Sequence, residues 1–288
     1  MAFMKLHKLS IAISFLFLLT ACSGNEPGSV KDTTLKTSDT TAFQKAIESK
    51  KKLQAKTIHV FVALCDNKYQ GIVPVPASLG NGQETKSNLY WGAAYGVKTY
   101  FNKSNEWKLV ESIKNPAPNI LERLLFKHKT KNIYLLADAY DGEFIKQTTI
   151  DFLLACSGKG LMTVKDNSNE IPFGGAADII AYVGHDGLMD FPLTNEFVKQ
   201  NNEPRQAIML ACKSKQYFSS HIKQTGASPL LWTTGLMAPE AYILHDGINE
   251  WIKSGSNIEV RKAAAAAYSR FQKCSIRAAE NLLVSGWQ

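Results

Sequence analysis

The sequence predicts an α/β fold: a doubly wound, mainly parallel sheet with helices on both faces. Three observations predict it. Short runs that are apolar on both faces recur along the chain, as expected of strands buried on both sides. Longer amphipathic segments of helical period alternate with them. No internal repeat and no second linker interrupts the pattern between residue 42 and the end of the sequence.

Taken in order, the first strand is "HVFVAL" (59–64), short and rich in β-branched and aromatic residues. "NLYWGAAYGVKTYF" (88–101) has helical period, and "WKLVESI" (107–113) reads as a second strand. "NILERLLFKHK" (119–129), with Pro118 just ahead of it, reads as a helix. "NIYLLADAY" (132–140) is a strand, and "FIKQTTIDFLLACSG" (144–158) a helix ending at Gly158. "ADIIAYVG" (177–184) and "QAIMLAC" (206–212) are strands, followed by a helix, "KQYFSSHIKQTG" (215–226), that ends in Gly226. "PLLWTTG" (229–235) is the last strand. "PEAYILHDGINEWIKSG" (239–255) and "IEVRKAAAAAYSRFQKC" (258–274) are helices.

The amino-terminal residues read as an export signal. Lys5 and Lys8 precede "LSIAISFLFLLTA", an apolar run of about a dozen residues, too short to span a bilayer. It ends at "LTAC", Leu19 to Cys22, which resembles the lipobox of bacterial lipoproteins, with Cys22 as the lipidated first residue. Ser23 in place of Asp directs the expectation to the outer membrane of a Gram-negative cell envelope. The expected organisation is a signal peptide at 1–21, a lipid-anchored flexible tether at 22–41, polar and poor in large apolar residues, and one globular domain at 42–288.

The formal charge of +8 falls to +6 without the two signal lysines. The basic runs "SKKKLQAK" (49–56) and "KHKTK" (127–131) read as solvated faces. No basic motif interleaved with aromatics points to nucleic acid. Besides Cys22 there are Cys65, Cys156, Cys212 and Cys274; no C-x-x-C occurs, so the spacing gives no zinc site, and one disulfide is open. Cys65 and Cys156 read as core residues, and Cys274 as part of the last helix.

His-Asp-Gly occurs twice, at His185 and at His245. His245 lies inside a segment of helical period, where Tyr242, Ile243, Ile248 and Trp251 form a packing stripe, and reads as a helix-surface or boundary residue. His185 follows a strand and a glycine, at a carboxyl strand end, where parallel sheets collect their functional groups. The next strand ends at Cys212. Adjacent strands lie about 4.8 Å apart, so the two side chains can meet. An imidazole beside a thiol is the minimum for thiolate chemistry: the ring takes the thiol proton and later protonates the leaving group.

"GHDG" (184–187) and "LACKS" (210–214), on consecutive strands of such a sheet, resemble the caspase-like cysteine peptidases, the group of caspases, legumain, gingipain and clostripain. The resemblance follows the element order over most of the globule, although its motifs are short. It implies the caspase-like fold, Cys212 as nucleophile and His185 as general base and acid. "ALCDNKYQG" (63–71) is similar to the legumain-type turn, which implies Asn67 as an orienting residue and nearby residues as the specificity pocket. The group places Gly directly after the His as an oxyanion donor; here Asp186 stands there and Gly187 follows, so both are oxyanion or orienting candidates. Asp66 and Asp186 are candidates for binding a basic substrate residue, with Asp138 and Asp141 also at strand ends. The chemistry needs no metal and no organic cofactor, although members of the group sometimes use calcium.

The expected function is therefore a lipid-anchored cysteine endopeptidase acting on protein or peptide substrates, attached to the membrane through Cys22 and without a nucleic-acid partner. Two alternatives stand beside it: a binding or assembly lipoprotein that keeps the fold without turnover, and a thiol-dependent amidase or transpeptidase acting on cell-wall peptides.

Overall fold

The computed structural model describes residues 34–287; the segment expected to be a signal peptide, and Cys22, lie outside the described residues. Helix α1 (Thr34–Leu53) begins within the segment expected to be tether. It leads into β1 (Lys56–Ala63), whose side chains are buried on both faces beyond Lys56. The chain continues through α2 (Val97–Lys103), β2 (Trp107–Ala117), β3 (Ile120–His128), β4 (Ile133–Tyr140), α3 (Ile145–Ser157), β5 (Met162–Asp166) and β6 (Asn169–Phe173). Then come β7 (Ile179–Val183), β8 (Gln206–Leu210), α4 (Ser214–Thr225), β9 (Ser228–Thr233), α5 (Ala241–Ile252), α6 (Asn257–Gln272), α7 (Ile276–Leu282) and β10 (Leu283–Val284).

Among the described residues the main sheet has eight strands in the order β10-β9-β8-β7-β1-β4-β3-β2. β1 pairs in parallel with β4 on one side and β7 on the other, and β7–β8 and β8–β9 are also parallel. Antiparallel β3 and β2 extend one edge, and β10 closes the other. The parallel strands thus follow one another in space as second, first, third, fourth and fifth along the chain. The winding reverses between β1 and β7, and the crevice beyond their carboxyl ends is where such a sheet holds ligands.

Helices cover both faces, as the sequence predicts. Ile58, Val60 and Val62 of β1 point into one core with Tyr242, Ile243 and Ile248 of α5 and Val260 and Ala264 of α6. Phe61 and Ala63 point into the other, with Phe152 and Cys156 of α3 and Phe218 and Ile222 of α4. Alternation along the strand and burial on both sides explain why β1 has no solvent-exposed face beyond Lys56. α3 and α4 end at Gly158 and Gly226, as expected.

Three elements depart from expectation. Residues 119–129 form strand β3, not a helix. Pro118 and Asn119 make the two-residue turn of a β2–β3 hairpin, with Asn119 in the left-handed region at φ 64° and Ala117 paired with Ile120. The spacing of Ile120, Leu121, Leu124 and Leu125 suits a helix equally well, and pairing with β2 and β4 decides between the two. Residues 88–96 are turns ahead of α2. The Asn88 side chain is spent on the Cys65 backbone, accepting from its N–H at 3.1 Å and donating to its carbonyl at 2.8 Å. Cys274 lies in the link between α6 and α7 rather than in a helix.

α1 does not lie flat on a face of the sheet. Phe43 meets the Arg205 guanidinium ahead of β8, Lys50 pairs with Asp178 ahead of β7 at 3.1 Å, and the Leu53 carbonyl accepts from Asn132 ahead of β4 at 2.6 Å. The helix crosses the amino ends of the strands, at the edge opposite the crevice.

Candidate functional site

β7 and β8 run side by side to their ends. Val183 pairs with Leu210, and the Gly184 N–H still donates to the Leu210 carbonyl at 3.2 Å. Gly184 has φ 151°, and a Cβ there would stand 2.8 Å from the Ala63 carbonyl oxygen of β1. Only glycine lets β7 turn outward this close to β1. The turn delivers His185, buried, to the carboxyl edge.

Cys212 leaves the neighbouring strand in a strand–turn–helix junction. Lys213, directly after it, is a non-glycine residue in the left-handed region at φ 50°. Backbone strain of this kind persists only where the surroundings impose it. Here they do. The Ser214 hydroxyl donates to the Met209 carbonyl at 2.8 Å and accepts from the Thr233 N–H at 2.9 Å, and the Thr233 hydroxyl donates to the Ala211 carbonyl. The Lys213 N–H is held by the Gly235 carbonyl at 2.8 Å. The thiol is half-buried, and like those of Cys65, Cys156 and Cys274 it is in no disulfide. Its contacts are the Met237 carbonyl at 3.5 Å and the Met237 N–H at 3.4 Å. Burial pushes the thiol above its usual range. The Met237 contact and Lys213 oppose that, and the Asp186 charge adds to it.

Residues 185 and 212 are therefore on adjacent strand exits, but the imidazole and the thiol do not bond each other. His185 Nε2 lies 2.8 Å from Asp190 Oδ2. Asp190 closes the turn Gly187–Met189 that follows His185. The same oxygen accepts from the Gly71 N–H at 2.9 Å, on the loop that follows β1. The ring's backbone is fixed as well: the Tyr182 hydroxyl donates to the His185 carbonyl at 2.7 Å.

Asp186 is fully buried. Its Oδ1 accepts from the Leu188 N–H at 3.1 Å, capping the turn, while Oδ2 has no partner. Burial pushes the pKa of its carboxyl up to about 7, with the Asp190 charge adding to the effect. Gly187 opens the turn, and its carbonyl accepts from the Asp190 and Phe191 N–H groups.

The structure does not bring Asn67 to His185. Its side chain holds its own loop, accepting from the Val75 N–H at 3.0 Å and donating to the Val75 carbonyl at 2.8 Å. Asp66 is likewise occupied: Oδ1 accepts from the Lys68 and Tyr69 N–H groups and Oδ2 from Gly82. Asp138 is buried in the sheet against Arg123 and His59, and Asp141 caps the turn at Gly142–Phe144. A groove of about 460 Å³ beside the loop after β1 is bordered by Asp66, Lys68, Tyr69 and Glu143, but by neither His185 nor Cys212. His245 is buried within α5, with its ring between Ser104 and Asp246 at 2.9 Å each and against Tyr100 and Phe101. It lies in α5 away from the crevice, as expected, but it is buried in the packing rather than at the helix surface or boundary. Cys65 is a core thiol raised by burial to about 11.

Asp190 was not singled out by sequence. The signal that could have found it is an acid five residues past a strand-end His, across a tight turn that opens on Gly187. Among the described residues, no group of three or more His, Cys, Asp or Glu side chains is placed to hold a metal ion, and no helix is long and apolar enough to cross a membrane. Compared with protein-family models, with curated proteins and with solved structures, the chain matches none.

Proposed function

We propose that the chain is a lipid-anchored cysteine endopeptidase of the caspase-like kind, with Cys212 as nucleophile and His185 as general base and acid. The observation that carries this reading is the exit of His185 and Cys212 from adjacent parallel strands, beside the crevice where the winding reverses. The strained junction at Lys213 supports it.

In this reading the Cys212 thiol gives its proton to His185 and attacks the scissile carbonyl carbon, forming a C–S bond. The tetrahedral intermediate collapses, the C–N bond breaks, and the proton passes from His185 to the leaving amine. Water, deprotonated by His185, hydrolyses the thioester and regenerates the thiol. Substrate entry displaces the Met237 backbone from Sγ, because that backbone occupies the face of the thiol. The substrates are proteins or peptides of the cell envelope, and a lipid on Cys22 attaches the chain to the membrane, in the outer membrane of a Gram-negative cell.

The second reading is a binding lipoprotein without turnover. It is favoured by the thiol raised above its usual range and by the buried Asp186 in the place where the resemblance expects an oxyanion-donating glycine. One experiment separates the two. The full chain and Cys212→Ala are incubated with a fluorogenic peptide library. Cleavage by the wild type alone supports the peptidase. No cleavage by either, with peptides retained equally by both, supports the binding module.

A further inference from the structure

Asp190 takes part in no element of the resemblance, yet it is the direct partner of His185. A carboxylate only accepts hydrogen bonds, so at 2.8 Å the neutral imidazole carries its proton on Nε2 and donates it to Asp190 Oδ2. Nδ1 then holds the lone pair. Among the described residues Nδ1 has no hydrogen-bond partner, and it is not sealed from solvent. Asp190 is itself held from two sides: its N–H donates to the Gly187 carbonyl at 2.9 Å, and its Oδ2 accepts from the Gly71 N–H at 2.9 Å. This is the arrangement by which a fixed carboxylate sets the tautomer and orientation of a catalytic imidazole and stabilises the imidazolium that forms.

We infer that Asp190 is the positioning residue of His185, fixing the proton on Nε2 so that Nδ1 takes the proton of the Cys212 thiol. The inference rests on the thiol reading above. The transfer is balanced: the S–H bond breaks, the Nδ1–H bond forms, and the ring becomes an imidazolium that keeps its Nε2–H on Asp190. The titratable group bonded to the ring is Asp190; Asp186 follows on the same turn, the Tyr182 hydroxyl bonds the His185 carbonyl, Cys212 leaves the adjacent strand, and the loop after β1 contributes the Gly71 N–H to Asp190.

The role makes a specific demand on Asp190→Asn. One amide oxygen in the place of Oδ2 still accepts from both Nε2 and the Gly71 N–H, so the ring keeps its position and its Nε2 proton. The negative charge that stabilises the imidazolium is gone, and the base is weakened while the shape survives. A purely structural Asp190 would not register this change. The test uses the reduced full chain: wild type, Asp190→Asn, Asp190→Glu and His185→Ala. The rate of iodoacetamide labelling at Cys212 is followed by mass spectrometry from pH 5 to 10, with thermal melting as a control on folding. Long-range ¹⁵N spectra of the His185 ring report the tautomer. The expected result is a shoulder of fast labelling below pH 8 in the wild type that Asp190→Asn lowers about a hundredfold. Asp190→Glu restores part of it, and the neutral ring keeps its proton on Nε2 in both the wild type and Asp190→Asn, so the loss is of charge and not of geometry. An Asp190→Asn profile that coincides with the wild type, while His185→Ala loses the shoulder, would overturn the positioning role alone. A His185→Ala profile identical to the wild type overturns the thiol reading itself.

Discussion

Gly71 and Asp190 stand 119 positions apart in the chain and meet at 2.9 Å, joining the loop after β1 to the turn after β7 across the reversal of the sheet. A Cβ on Gly71 would lie 2.3 Å from Asp190 Oδ1. Gly71 is exposed, so Gly71→Ala moves the Asp190 side chain rather than the core. The expected outcome is a folding stability within about 0.5 kcal/mol of wild type, with Cys212 labelling at pH 7 slowed severalfold. Urea unfolding and timed alkylation check the two halves separately.

Asp186 makes the fold sensitive to base. Its carboxyl is raised from 3.8 to about 7 in the folded chain, chiefly by burial. The protonated form is the one the fold accepts. Stability from this group is intact below about pH 4, declines as pH rises and is lost above about pH 7. The difference corresponds to about 4 kcal/mol. Asp186→Asn, which cannot ionise, is therefore expected to be more stable than wild type at pH 8.5 by about 2–4 kcal/mol and indistinguishable from it at pH 4. Urea midpoints at the two pH values decide.

Asp138 acts in the opposite direction. It is buried, and burial alone would raise it, but Arg123 at 2.6 and 2.7 Å and His59 at 3.1 Å outweigh burial and hold it below the usual range. Its contribution is present above about pH 4 and is lost as pH falls through its folded value. Arg123→Met strands the carboxylate in the core and is expected to cost about 3–5 kcal/mol at pH 7. The variant should recover stability on mild acidification, over a pH range in which the Asp138 contribution of the wild type is still intact. A pH series of thermal melts reads the sign.

The four thiols should sort by burial. Cys65 and Cys156 are fully buried and raised by it, while Cys212 and Cys274 are partly exposed. Iodoacetamide on the native, reduced chain is expected to label Cys212 and Cys274 and to reach Cys65 and Cys156 only in denaturant. Peptide mapping checks the order.

The parallel core was legible because its strands are buried on both faces. β1, β4, β7, β8 and β9 carry apolar runs too short for helices and too continuous for surface strands. β3 was not, because Glu122 and Arg123 interrupt the run and mimic a helix's polar face. In the fold both are consumed inside: Glu122 by Trp91, Lys98 and Lys114, and Arg123 by Asp138. The β5–β6 hairpin, α7 and β10 are short and get their stability from what they pack on, which local pattern does not express. At the site, His185 and Cys212 were legible as strand-end residues. The contact of Asp190 with Gly71 was not, because it depends on which loops the sheet order brings together.

The course of α1 across the amino ends of β4, β7 and β8 gives the molecule a back and a front. Every side chain of the candidate site projects from the front, and the chain enters the domain along the back. A load on the amino-terminal side pulls on α1 and its Lys50–Asp178 anchor, with the full length of the sheet between that force and His185. The domain can thus be held from behind while its crevice stays open to large partners.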